Sequence, residues 1–372
     1  FDRHRDRVRL TSLDAATGEP SWKFEYESDY VDRLNYNDGP RSSPVIDEGL
    51  VYIFGAGGML HCVRADDGSL VWKVDTARQF GVVQNFFGVG SSPVVEGDLL
   101  IVMVGGSPVE DQEIGRFTLD RVKGNGTGIV AFDKRTGQVK YSLTDELAAY
   151  STPRVVTIDG RRWCFVLARG GLVAFDPGSG EVDFYYPWRA RLRDSVNAST
   201  PVVVGDEVFI SEAYGPGSAL LRVEPGGHDV VWTDPPGRNK AMQTHWNTAI
   251  HHRGYLYGSS GRYSANAELR CTEGKTGKIM WSNPGLTRSS PLYVDGHFVC
   301  LGEDGVLYLI EASEKEYVQV AKAIVRERAD GPPLINPPAW AAPILSHGLL
   351  YVRGDDRLVC LRLIDESGEG GE

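Results

Sequence analysis

The chain has 372 residues, 41% of them hydrophobic and 24% charged, enough to bury a large core and unlike a disordered or fibrous composition. Lys and Arg number 39 against 50 Asp and Glu, a formal net charge of −11, and the one basic run is the short Arg3 to Arg9, so nucleic acid and anionic membrane surfaces are poor partners. No apolar run reaches the roughly 18 residues that span a bilayer, and the five cysteines (Cys62, Cys164, Cys271, Cys300, Cys360) include no CxxC, CxxCH or adjacent pair, which removes support for structural zinc, c-type haem and thioredoxin-like chemistry.

In chain order, the opening FDRHRDRVRL starts on Phe1 without an initiator methionine or the apolar stretch of a signal peptide, and reads as a mature or trimmed form. A strand is predicted at 8–13, followed by a turn signature: Asp14, Thr17 and Gly18, then Trp22 on the next strand. Asp and Thr side chains bond turn backbone, Gly supplies a positive φ, and an aromatic on an outer strand fills the wedge between packed sheets. The signature returns as Asp133, Thr136, Gly137 and Tyr141, as Asp176, Ser179, Gly180 and Phe184, and as Glu273, Thr276, Gly277 and Trp281, with a looser copy at Gly68 and Trp72. Glycine and aromatic stand four apart in these copies and five apart at Gly227 and Trp232.

A second repeat begins at Ser42-Ser43-Pro44, where a small-polar pair and a proline lead into an apolar strand, a tight turn and another apolar strand, PVIDEGLVYIFG. The middle residues of seven such triplets, some loose, are 43, 92, 152, 200, 248, 290 and 342, at intervals of 49, 60, 48, 48, 42 and 52. A period near fifty, with 44 Gly and 20 Pro and almost no amphipathic helix pattern, predicts propeller blades. Third strands are predicted at 8–13, 59–64, 128–133, 171–176, 219–224, 268–273, 306–311 and 357–362. Eight third strands against seven triplets predict an all-β, eight-bladed β-propeller of four-stranded antiparallel blades, a single domain over 1–366, with seven blades as the alternative. The first blade is expected to lack its first two strands, which would lie upstream of Phe1. The last, ending at Leu363, is expected to lack its outer strand until an N-terminal segment closes it. Residues 105–127, charged and bounded by glycine, read as a mobile insertion that explains the 60-residue interval, and Ser367 to Glu372 read as a disordered tail.

The copies of the turn signature resemble the tryptophan-docking motif of quinoprotein alcohol dehydrogenases. Over nearly its whole length the chain is similar to PQQ-like β-propeller repeat proteins, including the BamB-like group of planctomycetes. The segments GPRSSPVIDEGLVYIFGAGGMLHCVRADDGSLVWK and VNASTPVVVGDEVFISEAYGPGSALLRVE carry that similarity. The motif is specific for fold and not for function, because it builds packing between blades. The resemblance implies export to the periplasm, with two kinds of relative: a scaffold that binds no quinone, and an enzyme holding PQQ and calcium beside a vicinal Cys-Cys. No two cysteines are adjacent here, and no Glu, Asn or Asp is carried over as a calcium ligand or catalytic base.

In a propeller, the loops leading into first strands and those joining second to third strands share one face, the default binding site. They contribute Arg41, Tyr150, Asn197, Tyr214, His245, Trp246, Arg262, Arg288 and Trp340 as candidate ligand or partner contacts; Asp194, Ser195, Glu303 and Asp304 are also in these loops. Taken singly, each fits an ordinary wet mouth in which arginines pair with neighbouring carboxylates. As a set, two Trp and two Tyr with arginines have the composition of a binding surface.

His245, His251 and His252 do not converge as metal ligands, being six or seven residues apart across a strand and turn, and no metal is expected. The five cysteines read as buried free thiols. No GxSxG, HExxH, P-loop or GxGxxG after a strand occurs. The expected function is a non-enzymatic binding or scaffold propeller of the bacterial cell envelope, presenting its loop face to a protein or saccharide partner without a cofactor. The alternatives are a PQQ-type dehydrogenase with calcium, or another channel-mouth enzyme such as a sugar hydrolase with a carboxylate pair.

Overall fold

The structure, a computed structural model, describes residues 1–32, 34, 36–114, 116–191 and 196–364, with backbone alone at 116 and 117. The tail from Ser367 and the loop residues Asp194 and Ser195 lie outside the described residues. Short apolar runs punctuated by turns fold into eight antiparallel sheets, an eight-bladed β-propeller. Blade 2 shows the pattern, with Val45–Asp47, Leu50–Phe54, Met59–Arg64 and Leu70–Asp75 paired in chain order, and blades 3 to 7 repeat it. All eight predicted third strands are present, from Arg7–Leu13 to Leu358–Arg362, within two residues of their predicted ends.

Blade 1 corrects one expectation. Asp2–His4 pairs antiparallel with Arg7–Leu13, so the chain already supplies a second strand there, and Pro20–Glu27 is the outer one. Blade 8 has three strands, Ile344–Ser346, Leu349–Arg353 and Leu358–Arg362. The backbone divides into two compact units, residues 1–216 with 221–230, and residues 217–220 with 231–372.

Second and third strands carry apolar residues on both faces and are buried, as at Leu100 to Met103 and Ile129 to Phe132. Their first hairpins turn on pairs such as Glu48-Gly49 and Asp295-Gly296, where both residues have positive φ, the twist a two-residue hairpin demands. Outer strands are largely exposed or half-buried. In Leu70–Asp75 only Trp72 is buried.

The turn signature does two things at once. Asp133 Oδ1 accepts the N–H groups of Arg135 and Thr136, and Asp14 and Asp176 cap their turns in the same way. The glycine then receives the aromatic of the preceding blade. Trp22 lies on Gly68, Trp72 on Gly137, Tyr141 on Gly180 and Trp232 on Gly277, so close that a Cβ would fall 2.5–3.0 Å from the ring. The ring's polar atom is satisfied at the same place: Trp22 donates to the Ala65 carbonyl at 2.9 Å, Trp72 to Lys134 at 3.0 Å, and the Tyr141 hydroxyl to Pro177 at 2.6 Å. Phe184 meets His228 with ring centroids 4.5 Å apart, and Trp281 donates to the Ser313 carbonyl at 2.8 Å.

Two further expectations change. Cys62, Cys164, Cys271 and Cys300 are buried free thiols, but Cys360 is exposed, because the described sheet of blade 8 ends at its strand. In the insertion 105–127, expected to be mobile, the described residues form 3-10 turns at Val109–Asp111 and over Arg116–Arg121, the latter kinked at Thr118. They bury Leu119 and Val122 against Phe86 and Val196, with Ile114, Tyr150 and Tyr214 packed alongside. Composition hid this because a few apolar residues in a charged background suffice to seat a short segment on an aromatic patch.

Candidate functional site

The triplets fix the height of the loop face. In three of them the first residue is buried and donates to the carbonyl at the end of the second strand: Ser42 Oγ to Phe54, Ser151 Oγ to Leu167 and Asn247 Nδ2 to Ser259. Their second residue ties neighbouring blades, with the Ser43 N–H donating to Ser92 Oγ at 2.8 Å and the Ser92 N–H to Thr152 Oγ1 at 3.4 Å. Loops emerging from this frame are therefore positioned by buried hydrogen bonds.

In the first unit the structure places four predicted residues. Arg41 donates to Asp32 Oδ2 at 2.8 Å and to the Asn37 carbonyl at 2.8 Å, while buried Asp32 also accepts the N–H groups of Leu34, Tyr36 and Asn37. Arg41 thus braces its own loop, and its guanidinium stands 5.7 Å from the Phe87 ring. The Tyr150 hydroxyl accepts the Phe87 N–H at 2.9 Å, and burial holds its phenol neutral far above the ordinary tyrosine range. Asn197 is buried, donating through Nδ2 to the carbonyls of Ala168 and Trp188 and accepting the Tyr150 N–H at its own carbonyl, so it supports the loops from beneath. The Tyr214 N–H donates to Glu212 Oε2, and its ring packs with the insertion.

In the second unit the five remaining candidates meet. Arg288 lays its guanidinium 4.1 Å from the Trp246 centroid and forms a fork on Glu303, with Nε at 3.0 and 3.1 Å from the two oxygens and Nη2 at 2.6 Å from Oε2. Trp340 Nε1 donates to the same oxygen at 3.0 Å, and its ring meets Trp246 edge to face at 5.8 Å. Arg288 Nη1 donates to the Arg262 carbonyl at 3.2 Å, and Arg262 stands 5.2 Å from the exposed Tyr263 ring.

His245 packs on Trp246 at 5.1 Å; burial, then the charges of Arg288 and Arg262, push its imidazole down to about 4. Burial pushes the Glu303 carboxyl up, but bonds from Arg288, Trp340 and Ser264 outweigh it and hold the group below the usual carboxylate range. Glu303 was legible only as a loop residue, because nothing in its local sequence shows that Arg288 and Trp340, 15 and 37 residues away, turn towards it. His251 accepts the Gly254 N–H and His252 stacks on Tyr293, both at the hairpin after Ile250.

The cluster offers groups suited to recognition. The imidazole is neutral and the carboxylate is tied by three donors, so neither is poised to move a proton near neutral pH. Two tryptophans inclined at 62°, with an arginine stacked on one, present aromatic anchors beside a fixed charge.

A profile of the family described as outer membrane protein assembly factor BamB matches residues 6–262. The chain belongs to this BamB family of PQQ-like propellers. No curated protein matches it in sequence. Among solved structures, BamB from Moraxella catarrhalis is 15% identical with a TM-score of 0.61, covering 95% of this chain and 88% of its own. Quinohemoprotein alcohol dehydrogenase from Comamonas testosteroni is 14% identical with a TM-score of 0.59, covering 92% of this chain and 67% of its own.

The enzyme relatives raise the question of a quinone with calcium. Among the described residues no group of three or more His, Cys, Asp or Glu could hold a metal ion, and the sequence has no adjacent cysteines. No helix of the described residues is long and apolar enough to cross a membrane.

Proposed function

We propose that this BamB-family propeller is a non-enzymatic binding scaffold of the bacterial cell envelope, acting in the periplasm, and that its loop face docks a protein partner through the Trp246, Arg288, Glu303 and Trp340 cluster. The observation that carries this reading is the geometry of that cluster. Trp and Arg are the residue types that dominate binding hot spots. Here they are pre-ordered, so little side-chain entropy remains to be lost on docking. The likeness to BamB supports a protein partner as the kind of ligand.

The test is capture of a partner from envelope extract by the wild-type protein and by Trp246→Ala and Trp340→Ala, with melting temperature measured on each. Loss of the captured protein at unchanged melting temperature supports docking at this cluster. Retention of the same protein by both variants sinks the assignment.

A further inference from the structure

We infer that Asp120, on the insertion of blade 3, fills a carboxylate-binding site on the loop face of the first unit as an internal stand-in for an external carboxylate. The receptor half belongs to blade 4. Arg169 lies on the three-residue connection between Arg161–Leu167 and Gly171–Phe175, is buried, donates its backbone N–H to the Leu147 carbonyl, and holds its guanidinium 5.9 Å from the Phe86 centroid. Arg189 follows the outer strand Val182–Pro187 of the same blade. Both guanidinium groups converge on one oxygen: Arg169 Nη2 is 3.4 Å from Asp120 Oδ1, and Arg189 pairs with it directly. The triad sums to one positive charge in a chain whose net charge is −11. Planar guanidinium forks are the groups that hold carboxylates best. Phe86, Tyr150 and Tyr214, packed with Leu119 and Val122, give the site an apolar flank.

The ligand half is built differently. The Asp120 side chain is 48% exposed, whereas that of Arg169 is 4% exposed, so the anion faces solvent and the cation is fixed behind it. Asp120 sits on the 3-10 turn Arg116–Arg121, within a 25-residue connection between second and third strands. The same connection takes three to seven residues in blades 2 and 4 to 8, so a blade closes without this segment. An external carboxylate with an apolar neighbour can therefore take the place of Asp120 and lift the turn away. While Asp120 is seated, outside carboxylates bind only in the fraction of molecules that have released it.

The experiment titrates wild type, Asp120→Asn and Asp120→Asn/Arg189→Met with two probes, citrate and the tripeptide Asp-Phe-Asp, by calorimetry. Asp120→Asn keeps the shape of the side chain and removes its charge. Binding of either probe about tenfold tighter than wild type, with the gain lost in the double variant, is the expected result, and the probe that binds shows whether the carboxylate comes from a free acid or a protein segment. Equal affinity in wild type and Asp120→Asn, or a gain that survives Arg189→Met, overturns the proposal. Wild type supplies a second readout: trypsin should cut at Lys123 faster when the binding probe is present, and an unchanged or slower cut also overturns it.

Discussion

A glycine that receives an indole is constrained twice, and the two constraints can be separated. Gly137 has φ of 73°, and a Cβ there would lie 2.7 Å from Trp72; Gly97 has φ of 58° with nothing within 4 Å. Gly97→Ala is expected to cost about 1 kcal/mol, for the left-handed backbone alone. Gly137→Ala should cost roughly 2–4 kcal/mol, because the ring must also move. Urea midpoints of the two variants measure the difference, and equal midpoints would remove the docking contact from the account.

His61 makes the other residue-scale case. It is buried between Phe24 and Tyr26, and burial, with Lys73 adding to it, pushes its pKa down from 6.5 to about 4. The folded imidazole stays neutral where the unfolded one takes up a proton, so stability is intact above pH 6.5 and falls as pH drops towards 4. At about 1.4 kcal/mol per unit the loss reaches at most roughly 3 kcal/mol. His245 titrates in the same direction. His61→Leu should therefore flatten, without abolishing, the fall in urea midpoint between pH 6.5 and 4.5; an unchanged slope would count against it.

At the scale of the strand, stability comes from aromatics carried by one blade and received by the next. Trp281 packs on Tyr257 and Tyr317 and donates to the Ser313 carbonyl. Trp281→Ala is expected to cost about 3 kcal/mol and Trp281→Phe clearly less, because part of the ring contact survives when the indole hydrogen bond and the second ring are lost. A denaturation midpoint matching wild type for the alanine variant would rule out the docking role. This scale was the most legible in the sequence. Turn chemistry recurs at fixed phase, so Asp14, Gly18 and Trp22 announce a turn, a positive φ and an outer strand without any knowledge of the neighbours. What stayed hidden is which partner each aromatic chooses. The sequence supports glycine at 68 and 137 through its φ, whereas the structure adds that the preceding blade's indole leaves no room for a Cβ. The insertion was misjudged for the same reason, since Leu119 and Val122 acquire meaning only once Phe86 is beside them.

For the molecule as a whole, fold and site separate in how they are encoded. A repeat writes its architecture into every copy, but a site is assembled from what differs between copies: Trp246, Arg288 and Trp340 stand at one repeat position, immediately before their triplets, where other blades carry Arg41, Gly90, Tyr150 or Ala198. Residue types picked five members of that cluster, and Glu303, placed by the sequence only as a loop residue, takes its role from the geometry. The same logic decides what the shared fold with quinohemoprotein alcohol dehydrogenase implies. A propeller frame is common to both, so the shared fold by itself does not imply a quinone, which is held only if blade-specific donors converge. Glu303, the carboxylate at the centre of the second unit's loop cluster, already satisfies Arg288 and Trp340 and is not spare for a calcium ion. Incubated with PQQ and calcium and then desalted, the protein should retain no stoichiometric quinone absorbance and reduce no dye with an alcohol. Stoichiometric retention with turnover would overturn the scaffold reading and place ligands on carboxylates that are paired with arginine in this structure.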